Sequence, residues 1–235
     1  MTTDIPEGSQ MNNGQSIGVI FDMDGVLVDS GDAHFESWKA LAHEIGREFS
    51  EQDFALSFGR QNQDIIPMIL GINDPNEVTR LADRKEQIYR DLVRADPPIV
   101  EGAVELVRSL HEHGVKLSVG SSAPAANVHL IVDAMDLRDV FDALVTGDEV
   151  TRGKPDPEVF QTCAAKIGCA PQNCVVVEDA PAGIEAAVRA GCCAVAVLIH
   201  HEACAFHGAT ETVHALSELT SDSLMALAAK GGMTA

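Results

Sequence analysis

The apolar pattern changes rhythm twice along the chain. Ile17 to Phe21 (IGVIF) is an unbroken apolar run that stops at Asp22, the signature of a strand buried on both faces. From Gly31 to about Ile99 the apolar positions recur at helical spacing instead. In HFESWKALAHEIG, residues Phe35, Trp38, Leu41, Ala42 and Ile45 form one stripe that ends at Gly46. Asp64 to Leu70 and Pro75 to Val93 continue the helical texture, and Asp96-Pro97-Pro98 breaks it. Strand and helix patterns then alternate. Strands are expected at 115–119, 143–145, 174–177 and 193–197, and helices at 103–113, 125–134, 157–167 and 182–190. A plain amphipathic helix covers Met225 to Lys230. Five strands separated by helices imply an α/β fold, a Rossmann-like three-layer core with a parallel sheet covered on both faces. The core is expected from residues 17–30 and 100–235, with a smaller helical domain, 31–99, inserted near the end of the first strand.

Composition narrows the partners. The chain has 235 residues with 46% hydrophobic content, enough to bury a real core. Its 16 Lys and Arg against 36 Asp and Glu give a formal net charge of −20. Such a surface repels nucleic acid and anionic membranes, so neither is expected as a partner, and no protein partner is inferred. It also repels a phosphorylated substrate at long range, so any phosphate site must build its own positive field. No apolar run approaches the roughly 20 residues that span a bilayer. Residues 1–16 are polar and Gly/Asn-rich, read as a disordered leader without a secretion signal. The 6 Cys form no CxxC pair and read as reduced thiols of a cytoplasmic protein.

Ligands of open α/β sheets bind at the carboxyl ends of strands, and there the sequence places its chemistry. Asp22-Met23-Asp24 follows the first strand, Ser121-Ser122 the second, Lys154 stands in the loop before the 157–167 helix, and Glu178-Asp179 follows VVV. Each has a bland alternative: a turn for the aspartates, a helix cap for Ser121, a solvated charge for Lys154, a helix-dipole pair for Glu178 and Asp179. Together they cohere. Crowded carboxylates repel unless a cation sits among them. Oxygen ligands without His or Cys point to a hard ion such as Mg²⁺, which also accepts substrate phosphate. With Lys154 adding positive charge, one carboxylate can approach phosphorus as a nucleophile, and another two residues on can serve as general acid and base. His200, His201, Cys204 and His207 fit no standard zinc spacing and read as an exposed loop.

At these residues the sequence resembles the haloacid dehalogenase (HAD) superfamily, the group with a helical cap inserted after the first motif. FDMDGVLVDS is similar to the first motif, the strand ending at Ser121 to the second, Lys154 in GKPDPEVF to the third and VVVEDAPAGIEAAVRAG to the fourth. The resemblance spans Ile17 to about Val197. It implies that Asp22 is nucleophile and metal ligand, and that Asp24 is general acid/base with its carbonyl also reaching the metal. Ser121 and Lys154 are implied to hold the phosphoryl group, and Asp179, with Glu178 beside it, to bind Mg²⁺. Gly25 lets the chain turn away from the strand, and the segment to Ser30 serves as hinge.

Within the superfamily, GDAHFESWKALAHEIG and RKEQIYRDL look like the cap of β-phosphoglucomutase-like proteins, through His34, Trp38 and Lys85. The resemblance implies that these cap residues, with Asn62 and Ser122, bind substrate. The departures are that Asn62 stands where the mutase carries an arginine for a second phosphate, with Arg60 nearby, and that Ala123, Pro124 and Ala125 follow Ser122 where polar groups are expected. Charge-assisted bonds of this kind are worth roughly 1.5–3 kcal/mol each. The expectation is therefore a Mg²⁺-dependent phosphatase acting on a small phosphorylated metabolite, a sugar phosphate by resemblance. The alternatives are a β-phosphoglucomutase-type mutase and a non-catalytic binding protein on the same fold.

Overall fold

The computed structural model describes residues 16–57, 60–199 and 202–232. The leader expected over 1–16 lies outside the described residues except for Ser16, as do His200 and His201.

Six strands form one parallel sheet among the described residues: β1 (Gly18–Phe21), β2 (Lys116–Gly120), β3 (Ala143–Val145), β4 (Cys174–Glu178), β5 (Cys193–Val197) and β6 (Glu211–Val213), in the order β3-β2-β1-β4-β5-β6. The first strand is central, paired to β2 and β4. The period of two sorts its residues between two hydrophobic layers. Val19 and Phe21, with Val175, Val177, Leu117 and Val119, face one layer. That layer is covered by α5 (Ala103–Glu112), α6 (Ala125–Ala134) and α9 (Ser221–Gly231). Ile20, Val176, Ala194 and Ala196 face the other, covered by α7 (Glu158–Lys166) and α8 (Pro181–Ala190). Both faces are dry, which is why the strands read as continuous apolar runs rather than alternating ones.

Between Asp24 and Ile99 the chain leaves the sheet as an inserted helical cap: α1 (Gly31–Glu44), α2 (Glu51–Ser57), α3 (Asn62–Ile65), continued by a π-helical turn at Ile66–Leu70, and α4 (Pro75–Val93). The cap buries its own cluster, in which Trp38, Leu41 and Ala42 of α1 meet Val78, Leu81 and Ala82 of α4. The outgoing and returning segments are tied where they cross. Asp29 N–H donates to Pro98 O at 2.8 Å and Val100 N–H to Leu27 O at 3.0 Å, around an antiparallel bridge between Val28 and Ile99. Two short elements depart from the sequence pattern. Strand β6 lies where the pattern shows no strand, because Glu211-Thr212-Val213 is an edge strand with one buried residue. Helix α2 buries only Ser57 and so shows no apolar stripe. No helix of the described residues is long and apolar enough to cross a membrane.

Leu110 is fully buried in α5 whereas Leu92 on α4 is half exposed. Leu110→Ala is expected to lower the unfolding free energy by about 2–5 kcal/mol, and Leu92→Ala by less than about 0.5 kcal/mol. Urea unfolding of the two variants checks the contrast.

Candidate active site

The parallel register decides which polar groups meet. Phe21 pairs with Val177 of β4, and Asp22 N–H donates to Val177 O at 2.9 Å, so Asp22, one step past β1, stands level with Glu178, the last residue of β4. Both continue the parity of Ile20 and Val176, which places them on the face covered by α7 and α8. Lys154 approaches from the loop that leads into α7. Its Nζ donates to Asp22 Oδ1 at 2.7 Å and to Glu178 Oε1 at 2.8 Å, above the Phe160 ring at 5.0 Å. Glu178 Oε2 accepts from the Ala180 N–H at 2.7 Å, so both of its oxygens are engaged. Asp22, Glu178 and Asp179 each offer an oxygen within 4.8 Å of the others.

Two glycines make this crowding possible. Gly25 has φ +76°, and a Cβ there would lie 1.9 Å from Asp179 Oδ2. Gly183, inside α8, would bring a Cβ to 1.7 Å from Glu178 Oε1. Sequence reasoning gives Gly183 no role, although an isolated glycine inside a helical pattern signals close approach.

Burial and like charge leave the acidic groups uncomfortable by themselves. Burial first, then Glu178 and Asp24, push Asp22 up to about 7 against the pull of Lys154. Burial, Glu178 and Asp22 push Asp179 up to about 9. Burial opposes the Lys154 charge, but Asp22 and Glu178 outweigh it and hold the ammonium well above its ordinary value. A buried, oxygen-only donor set with excess negative charge fits a hard divalent cation. With Glu178 already hydrogen-bonded twice, Asp22 and Asp179 carry the spare oxygens.

Asp24 is treated differently. Ser30 Oγ donates to its Oδ1 at 2.6 Å, and His34 Nε2 lies 3.3 Å from the same oxygen. Lys85 Nζ sits 2.6 Å from His34 Nδ1. An ammonium can only donate, so Nδ1 accepts, Nε2 carries the proton, and His34 donates to Asp24. The His34 ring stacks on Tyr89, with centroids 4.2 Å apart. Burial raises the Asp24 carboxyl, but the hydrogen bonds of His34 and Ser30, with the charge of Lys85, outweigh it and hold it below its ordinary value. Two aspartates two residues apart thus differ in acidity because one faces crowded carboxylates and the other faces donors.

The remaining expected residues divide. Ser121 is buried, and its Oγ accepts from the Ala123 N–H at 3.0 Å, whereas Ser122 is exposed. Asn62 donates to Glu86 Oε1 at 2.7 Å. Trp38, expected among substrate-binding residues, needs correction: it is 2% exposed and stacked on Phe49, with the Lys85 ammonium 5.5 Å from its ring centroid. It supports Lys85 from inside the cap. Ser30, Glu86 and Tyr89 are parts of the site that sequence reasoning misses; along the chain the first reads as hinge and the others as helix texture. Cys204 and His207 are exposed, and no other acidic, His or Cys group suited to a metal is found among the described residues.

Comparison with known proteins agrees with this geometry. A family model described as haloacid dehalogenase-like hydrolase matches residues 19–197. The chain is 33% identical over 178 residues to the phosphorylated carbohydrates phosphatase of Thermotoga maritima, covering 74% of this chain and 81% of that protein. It is 32% identical over 187 residues to the β-phosphoglucomutase of Bacillus subtilis, covering 76% and 82%. A HAD hydrolase of family IA, variant 3, from Entamoeba histolytica superposes with a TM-score of 0.83 at 26% identity, covering 91% of this chain and 99% of that one. With the sheet order, the strand-end carboxylates and the inserted cap all accounted for, the chain belongs to the haloacid dehalogenase-like hydrolase family, in its β-phosphoglucomutase-like group.

Proposed function

We propose that this enzyme is a phosphatase that releases inorganic phosphate from a small phosphorylated sugar through an aspartyl-phosphate at Asp22. The observation that carries the reading is the contrast between Asp22, held by Lys154 among carboxylates, and Asp24, held by Ser30 and His34 on the cap side. A cation bound beside Asp22 would hold it as the carboxylate nucleophile, and the donors around Asp24 set a proton source on the cap side. The names of relatives, phosphatases of phosphorylated carbohydrates and of fructose 1-phosphate, support the substrate class.

In the first step an Asp22 oxygen bonds to phosphorus, the bond to the leaving alkoxide breaks, and Asp24 passes that oxygen a proton taken from His34, which is replenished from the Lys85 ammonium behind it. In the second, Asp24 takes a proton from water as the water oxygen bonds to phosphorus, and the bond from phosphorus to Asp22 breaks. Lys154 and the Ser121 hydroxyl hold the phosphoryl oxygens. Asp22 and Asp179, with Glu178 and the Asp24 carbonyl, would hold Mg²⁺, which supplies positive charge that lets a carboxylate approach a phosphate dianion. The cap, over 31–99 and carried on 17–30 and 100–235, closes over the leaving group, with His34, Lys85 and Asn62 at its inner end and Ser122 at the rim. Asn62 directs its amide to Glu86, and Ala123 to Ala125 carry no side-chain charge. Neither arrangement offers a grip on a second phosphate, which favours hydrolysis over mutase chemistry.

Three outcomes are expected. Asp22→Asn lowers phosphate release at least roughly 10³-fold and Asp24→Asn about 10²–10⁴-fold on a sugar phosphate. During wild-type turnover, an acid quench traps a hydroxylamine-labile phosphate on the peptide carrying Asp22, and its absence would sink the covalent route. With β-glucose 1-phosphate, free phosphate forms rather than the 6-phosphate isomer, as coupled assays of both products check.

The acidity shifts add a stability prediction. In the cation-free protein Asp22 and Asp179 bind protons more tightly folded than unfolded, so their contribution falls as pH rises from about 4 through about 7 and about 9. Mg²⁺ is therefore expected to raise Tm more at pH 8 than at pH 5, relative to EDTA. Calorimetry showing an equal or reversed increment would refute the cation assignment.

A further inference from the structure

Asn127 is fully buried on α6 of the core, yet its side chain is spent on the cap. Its Nδ2 donates to Glu86 Oε2 at 2.6 Å, and its Oδ1 accepts from Arg90 Nη1 at 2.8 Å. Glu86 and Arg90 are four residues apart on α4 and so share a face. The amide meets the anion with its donor end and the cation with its acceptor end, which fixes its orientation without ambiguity. Neither a hydrophobic side chain nor a carboxylate in place of that amide satisfies both partners.

The other oxygen of Glu86 faces inward. Oε1 accepts from Lys85 Nζ at 2.9 Å and from Asn62 Nδ2 at 2.7 Å. Lys85, only 2% exposed, has Glu86 on one side and His34 on the other, and His34 reaches Asp24. A lysine of that length keeps one rotamer only if its ammonium is held. The carboxylate of Glu86 therefore joins two functions in one group: one oxygen binds the core, the other aims the Lys85–His34 file at Asp24.

We propose that Glu86 and Asn127 form a clasp between cap and core that positions Lys85 and His34, so that Asp24 meets His34 only when the cap is seated. The inference rests on the phosphatase reading of the site. Both are positioning residues; neither touches the atoms that hold phosphate.

The test compares wild type, Asn127→Asp, Glu86→Gln and the double variant. Asn127→Asp sets two carboxylates against each other. The double variant restores the bond across the clasp with donor and acceptor exchanged: the amide introduced on α4 donates to the carboxylate introduced on α6, and that carboxylate still accepts from Arg90. With Mg²⁺ present, kcat/KM is measured on glucose 6-phosphate, whose alkoxide needs a proton to leave, and on p-nitrophenyl phosphate, whose phenolate does not. Asn127→Asp is expected to lose about tenfold or more on the alkyl ester, to lose much less on the aryl ester, and to regain most of the deficit in the double variant. A parallel fall on both esters, or a double variant no better than Asn127→Asp, overturns the positioning role. Small-angle scattering supplies the second arm: a larger radius of gyration for Asn127→Asp that returns in the double variant supports the clasp, and an unchanged radius overturns it. If wild type hydrolyses neither ester nor any other sugar phosphate, the phosphatase reading fails, while the scattering still decides the clasp.

Discussion

Four carboxylates, Asp22, Asp24, Glu178 and Asp179, are brought to the ends of two neighbouring strands with a single ammonium among them, Lys154. Buried like charges of this kind are costly, and a fold keeps them only where something else is meant to share the space. The sheet supplies the rigidity. Strand β1 is central, dry on both faces and paired on both edges, so Asp22 cannot relax away from its neighbours. The glycines at 25 and 183 remove the side chains that would keep the acids apart. The core's stability thus holds an electrostatic imbalance, an excess of buried negative charge that suits a hard cation.

The imbalance is local, and so is its remedy. With a net charge of −20 the molecule as a whole repels a phosphate ester. Within the site the positive groups are few, buried and specifically placed: Lys154 in the core, Lys85 in the cap. Lys154 lies between Asp22 and Glu178, and Lys85 between His34 and Glu86, so neither charge is left unpaired. The two halves of the site are wired in the same way but carried by different layers, Lys154 on the core and Lys85 on the cap.

Much of this is legible along the chain, for physical reasons. Both faces of the sheet are covered, so its inner strands are long apolar runs that stop abruptly at polar residues, and those residues are necessarily at strand ends. Helix α4 shows a strong stripe because one of its faces packs in the cap, and its limits at Pro75 and Val93 follow from the stripe. Strand β6 and helix α2 escape notice because they bury too little to leave a pattern. Trp38 reads along the chain as a substrate contact because a large aromatic beside a histidine on one helix suits either role; only its packing on Phe49 separates them.

Sequence by itself determined the parallel α/β core and the set of polar groups at its strand ends, because hydrophobic periodicity and chain order are local properties. Tertiary structure alone decided which of those groups share a hydrogen-bond partner, and that Asn127 on one layer answers Glu86 and Arg90 on another. Such pairings join residues 41 and 37 positions apart through atoms only 2.6 and 2.8 Å apart. A hydrogen bond depends on distance and direction in space, and no spacing rule along a chain carries that information across two domains.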